Sequence, residues 1–262
     1  MPANQLETYR DWLVESQRDV EIQDPFRPDV LDGEWMAVAQ LVKRTLANHR
    51  GRIGIHGPFE GLPIMSFDPK VQQLVSARLL QGLDFAEEIG ATHMVVHSPW
   101  LTLGHPFVPV SPNYSFDTML GRAKATLDLV LARAERIKCA LVIENIFDLH
   151  TDPWLRLIQS FESDFVRASV DIGHAFCMQR CGGAPPDAFV RAAGPWLAHM
   201  HIQDTDGLSD RHWAPGDGDI NFVALFEAVT ALQQTPRMIL ELHDYGRIPA
   251  GAAHLARRGL VK

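Results

Sequence analysis

The sequence predicts a single (β/α)8 barrel of the TIM type, one domain over 1–262, and three observations carry that prediction. Short β-branched runs alternate with longer amphipathic ones along the chain, no shift of composition divides it, and polar residues recur where the short runs end. A parallel strand needs a crossover long enough to hold a helix, so strand–helix alternation of this kind implies a parallel α/β sheet. Repeated this often without a break, it implies closure into a barrel. A doubly wound sheet is the competing architecture. It would lack its usual ligand-binding turns here, because no GxGxxG follows the first strand-like run and no GxxxxGK[ST] occurs.

In chain order, the first amphipathic stretch is QLETYRDWLVES (5–16), a helix where a barrel should begin with a strand. The first barrel strand is therefore degenerate, missing, or replaced by another segment. DVEIQDP (19–25) and RIGIHGPF (52–59) are strand-like, being short, β-branched and closed by turn residues. KVQQLVSARLLQGLDFAEEIG (70–90) follows as a helix, with apolar residues three and four apart and Gly90 just past its end. HMVVHSPW (93–100) is the next strand and TMLGRAKATLDLVLARAERI (118–137) the next helix. ALVIENI (140–146), ASVDIGH (168–174), LAHMHIQD (197–204) and MILELHD (238–244) complete seven strands, with a helix over NFVALFEAVTALQQ (221–234). The tail HLARRGLVK reads as a solvated helix end.

A chain of 262 residues with 46% apolar and 21% charged residues can bury a sizeable core and is of ordinary globular composition. A net charge of −8 argues against nucleic acid as a general partner and gives no sign of a membrane surface. There is no run long enough to span a bilayer and no signal-peptide core near the start. Cys139, Cys177 and Cys181 form neither a disulfide framework nor a zinc knuckle, and a cytoplasmic setting is expected.

His56, His97, Glu144, Asp171, His201 and Glu241 each fall at the C-terminal end of a different strand, with His174 at the start of a following loop. In a closed barrel those ends ring one mouth, where barrel active sites are built. A single His or Glu in such a place is commonly a capped or solvated side chain. Taken together, carboxylates and imidazoles would repel or desolvate one another unless a cation neutralised them. Imidazole with carboxylate and no thiolate suits Zn, Mn, Co or Fe. The segment DRHWAPGDGDI (210–220) adds Asp210 and His212. It is no phosphate cradle, since it lacks the Lys and Ser/Thr of a P-loop, and it misses the acidic spacing of a calcium loop.

The runs IHGPF, VVHSP, VIEN, VDIGHAF, HMHIQD, DRHxxxGxGxI and LELH, in that order from about residue 19 to 244, resemble the xylose-isomerase-like barrel superfamily. That superfamily includes sugar-phosphate isomerases and epimerases, ketose 3-epimerases and apurinic endonuclease IV. The resemblance implies that Glu144, Asp171, His201 and Glu241 are the four metal ligands of the epimerase branch. It also supplies candidates for the five further ligands of the trinuclear nuclease cluster: His56, His97, His174, Asp210 and His212. The implied cofactor is a divalent metal, Zn or Mn, at one to three ions. Barrels of this kind often pair, so a homodimer stays open.

Two activities follow from the resemblance. One is isomerisation or epimerisation of a small sugar, sugar phosphate or polyol ketone, by proton transfer next to a metal-chelated carbonyl. Glu144 and Glu241 are then the acid and base, while His174, Arg211 and the aromatic Trp100 hold substrate. The other is endonuclease IV-like phosphodiester cleavage at abasic DNA; a metal-dependent dehydratase is a further alternative on the same barrel. The loops argue against DNA, because SPWLTLGHPFVPVSPNYSFD, IFDLHTDPW and DTDGLSD carry almost no Lys or Arg. Phe107, Tyr114, Phe147, Trp154 and Trp213 suit stacking on sugar faces as well as on bases. Only Arg211 and Arg247 are near enough to the motifs to meet a phosphate, which leaves the phosphorylation of the substrate open.

Overall fold

The computed structural model describes residues 1–100 and 115–260. Phe107 and Tyr114 lie outside the described residues. Seven strands form one sheet in the order β1-β2-β3-β4-β5-β6-β7, which is also their order in the chain. They are β1 (Val20–Ile22), β2 (Ile53–His56), β3 (His93–His97), β4 (Ala140–Glu144), β5 (Val166–Asp171), β6 (Leu197–Ile202) and β7 (Arg237–Leu240). All seven strand-like runs of the sequence are strands. The pairs β1–β2, β2–β3, β5–β6 and β6–β7 are parallel, so the fold is the parallel β/α barrel type that the alternation predicts. Among the described residues no strand precedes the three-residue β1, and the helix over Leu6–Glu15 stands there instead, so the sheet has seven strands and the first strand of the eightfold pattern is degenerate or missing, as expected.

The chain divides into two compact units. The first comprises Met1–Pro99, the described residues up to Val142, and Phe161–Val166. It holds β1 to β3 with α1 (Leu6–Glu15), α2 (Pro28–Leu31), α3 (Trp35–Thr45), α4 (Pro69–Ile89) and α5 (Phe116–Ile137). The helix α4 starts where Asp68 accepts the Lys70 N–H at 2.8 Å and Pro69 supplies a preset φ at the first position. It stops at Gly90, whose φ of 70° is left-handed and open to glycine at no steric cost. Its face of Val75, Leu79, Leu83, Phe85 and Ala86 is buried, each large side chain worth about 1.5–3 kcal/mol of burial. The strand β3 is buried at four of its five positions, the near-continuous apolar pattern of a parallel strand covered on both faces.

The second unit comprises Trp100, Ile143–Ser160 and the chain from Arg167 onward. It holds most of β5, all of β6 and β7, and α6 (Thr151–Ser160), α7 (Ile172–Arg180), α8 (Pro186–Ala193), α9 (Phe222–Thr230) and α10 (Ile248–Arg257). Two expectations change here. The run ASVDIGH is strand only to Asp171, which caps α7 by accepting the His174 N–H at 2.7 Å, so His174 stands in a helical turn rather than a loop. The helix expected over 221–234 ends at Thr230, after an Asn221 cap. Among the described residues no helix is long and apolar enough to cross a membrane.

Candidate metal centre

Four strand ends of the second unit each deliver one carboxylate or imidazole. Glu144 and Asp171 are the last residues of β4 and β5, His201 is next to last in β6, and Glu241 follows β7 directly. Glu144, Asp171 and His201 are fully buried. Each of the four offers a donor atom, and these atoms lie within 4.8 Å of one another. His201 Nδ1 is their common neighbour: it is hydrogen-bonded to Glu144 Oε1, 3.2 Å from Glu241 Oε2 and 3.9 Å from Asp171 Oδ2. Burial pushes the Asp171 carboxyl above its ordinary range; His174 and His212 oppose that rise, while Glu144 and Glu241 add to it. Three carboxylates around one imidazole make a dense negative cluster, which a divalent cation fits by charge and by donor type.

A second set stands beside it in the same unit: His174, Asp210 and His212, again with donors within 4.8 Å. Asp210 Oδ2 lies 2.9 Å from His212 Nε2 and 3.3 Å from His174 Nε2. The other ring nitrogens face backbone carbonyls, His174 Nδ1 on Asn145 O and His212 Nδ1 on Glu241 O, each at 3.0 Å. A hydrogen on Nδ1 satisfies those carbonyls and leaves Nε2 facing the cluster, where it would be the coordinating atom once a cation displaced its proton. Burial works against ionisation of all three groups, but their mutual charges win. Asp210 is held well below the usual carboxylate range, His174 is raised well above its ordinary value, and His212 is raised to about 9.

The loop between β6 and α9 is built to hold this set. The buried Asp204 accepts backbone N–H groups from Thr205 (2.9 Å), Gly216 (2.8 Å) and Ile220 (3.2 Å). An antiparallel bridge joins Asp204 to Trp213 by two backbone bonds of 2.8 and 3.0 Å. His212 then takes φ 49°, a left-handed conformation uncommon outside glycine, held by its N–H on Gln203 and its ring on Glu241 and Asp210. Gly216, at φ 96°, turns the chain back toward α9.

In the first unit, His56 ends β2 and His97 ends β3, with their Nε2 atoms 3.3 Å apart and His56 Nδ1 on Gly57 O at 2.9 Å. Phe59 stacks on His97 with ring centroids 4.2 Å apart. The substrate-binding candidates other than His174 stand as follows. Arg211 is paired with Asp206 at 3.1 Å and lies over the Trp213 ring. Trp100 is buried. Trp154 is a core residue, its indole N–H donating to Ile143 O at 2.9 Å beside Phe189, while Phe147 and Trp213 are exposed. Arg247, the other phosphate candidate, pairs with Asp217 at 2.7 Å.

Two polar residues of the centre escape sequence reasoning. Asn145 clamps the Asp171 backbone, donating to its carbonyl at 3.0 Å and accepting its N–H at 2.9 Å. Gln203, fully buried, bridges Asp171 and Asp210. Both sit inside the motifs, next to Glu144 and two residues after His201, and adjacency to a candidate ligand is the signal that marks them.

Known proteins resemble this chain in sequence and in fold. The sequence profile of the family described as xylose isomerase-like TIM barrel matches residues 14–260. Fructoselysine 3-epimerase of Escherichia coli O157:H7 is 25% identical over 52% of this chain and 47% of its own. The chain spans about half to three fifths of the length of the curated relatives it matches. Among solved structures, a Thermus thermophilus protein soaked with ZnCl2 superposes with a TM-score of 0.75 and 26% identity, over 100% of this chain and 96% of that one. A D-tagatose 3-epimerase-like protein superposes with a TM-score of 0.73 and 21% identity, over 91% of this chain and 87% of that one.

Proposed function

The chain belongs to the xylose isomerase-like TIM barrel family, and from that premise we propose that it is a divalent-metal-dependent isomerase or epimerase of a small sugar or polyol ketone. The observation that carries the reading is the buried set of Glu144, Asp171, His201 and Glu241, three carboxylates and an imidazole with converging donors at neighbouring strand ends. The similarity to sugar 3-epimerases supports the substrate class.

These four residues would hold the cation, with Zn and Mn matching the donor set. When bound, the cation polarises the substrate carbonyl and so lowers the pKa of the neighbouring C–H. Glu144 ends β4 and Glu241 follows β7, and a carboxylate oxygen of each lies beside His201 Nδ1. One carboxylate takes the proton from the carbon and the other returns one to the opposite face, which inverts that centre. Arg211 supplies donors to substrate hydroxyls, changing partners from Asp206 to do so, whereas Trp100 is buried and both His174 ring nitrogens already have partners.

A second reading, phosphodiester hydrolysis by clustered metals, is favoured by the additional His174–Asp210–His212 set and by the His56–His97 pair, whose Nε2 atoms lie 3.3 Å apart. The deciding assay incubates purified protein, loaded with Mn or Zn, with a panel of free and phosphorylated ketoses and with abasic duplex DNA. The proposal requires epimerised or isomerised sugar, abolished by chelation and restored by metal. Nicking of abasic DNA without any change in a ketose would replace it with the second reading.

A further inference from the structure

Between the two ligand sets lies the amide of Gln203, with both its nitrogen and its oxygen engaged. Nε2 donates to Asp171, 3.2 Å from each carboxylate oxygen, and to Asp210 Oδ1 at 2.9 Å. Oε1 accepts the backbone N–H of His212 at 2.9 Å. By holding Asp210 Oδ1, the amide turns Oδ2 toward the Nε2 atoms of His174 and His212. The His212 N–H bond in turn supports the left-handed backbone that aims that ring.

The place for this amide is made by a missing side chain. A Cβ at Gly173, in the first turn of α7, would lie 2.3 Å from Gln203 Cδ and 2.6 Å from its amide nitrogen and oxygen. Helix propensity alone would favour alanine at that position by roughly 1 kcal/mol, so the glycine is explained by the close approach of Gln203.

We propose that Gln203, seated on Gly173, is a positioning residue that couples the two ligand sets, so that a cation bound by Glu144, Asp171, His201 and Glu241 strengthens binding of a second by His174, Asp210 and His212. The inference rests on the metal-dependent reading above. Filling the first set fixes the Asp171 carboxylate; Gln203 carries that order to Asp210 and the His212 backbone. Coupling of this kind is reciprocal, because each cation changes the affinity for the other by the same factor.

The test is a Co(II) titration of metal-stripped protein, followed by its visible absorption and by equilibrium dialysis, for wild type, Gln203→Met and Gly173→Ala. Wild type should take up two ions at the two sets, the second more tightly once the first is in place. Gln203→Met removes both donors and the acceptor at similar volume, and should weaken the second ion by roughly ten- to a hundredfold while the first is changed severalfold or less. Gly173→Ala keeps every polar group and should produce the same selective loss by displacing the amide. A purely structural role would lower thermal stability and both affinities together. Two ions bound with unaltered coupling in both variants would overturn the role of Gln203 and leave the metal reading intact. Fewer than two ions in the wild type would overturn the coupling, and none at all would overturn the metal reading with it.

Discussion

A carboxylate that both holds a cation and moves a proton cannot be replaced by its amide, and the proposed function gives Glu144 and Glu241 both tasks. Glu144→Gln and Glu241→Gln should each lower kcat by roughly 10²- to 10⁴-fold, the usual worth of a positioned acid or base. Steady-state kinetics at saturating metal checks this, and a variant with near wild-type kcat would remove that glutamate from the proton path. His212 gives a pH prediction for the metal-free chain. Its pKa is raised to about 9, against burial, by Asp210, Glu241 and Asp171. A raised pKa stabilises the fold fully below the unfolded value near 6.5, and this stabilisation is lost as pH rises through about 9. NMR titration of the labelled imidazole should find that midpoint, and metal binding at roughly neutral pH should release protons, read as a buffer-dependent heat. The positions of His56, His97, Glu144, Asp171, His201 and Glu241 at strand ends and of Asp210 and His212 in the DRH motif were legible in the sequence, while their role as ligands is a proposal. The bridge through Gln203 was not legible, since a local sequence does not say which two carboxylates a neutral amide will span.

At the level of elements, the connection from β6 to α9 depends on one buried carboxylate. Asp204→Ala leaves the N–H groups of Thr205, Gly216 and Ile220 without their acceptor. The expected cost is roughly 3 kcal/mol, since the buried N–H groups of Thr205 and Ile220 each cost about 1–3 kcal/mol when left unsatisfied, while the exposed Gly216 can turn to water. Urea unfolding measures it, and the His174–Asp210–His212 set should lose metal as the loop loosens; an unchanged midpoint would show that the loop is held by other contacts. The strands were readable from the sequence because parallel strands are short, β-branched and buried on both faces, as β3 and β4 are. The helix α7 was not, because ASVDIGH continues the strand pattern past Asp171. The capping bond from Asp171 to the His174 N–H, which depends on the third dimension, ends the strand there.

For the whole molecule, the prediction of a barrel followed from alternation and uniform composition, and the family match over 14–260 supports it. A single domain over 1–262 is a proposal at this scale. Unfolding by urea, followed by tryptophan fluorescence and by far-UV circular dichroism, should then give coincident transitions, and two separated midpoints would show domains that unfold independently. What the sequence left open, substrate identity and the number of metal ions, is a matter of cavity chemistry rather than fold, because one barrel serves many reactions. The central claim is proton transfer at a carbon beside a metal-bound carbonyl by Glu144 and Glu241. Its most direct measurement is mass spectrometry of a ketose recovered from D2O after incubation with the metal-loaded protein. The account predicts one deuterium at the carbon next to the carbonyl, carried by the isomerised or epimerised sugar and absent with Glu144→Gln or Glu241→Gln. A product formed with no deuterium at that carbon, or labelling that persists in both variants, would contradict it.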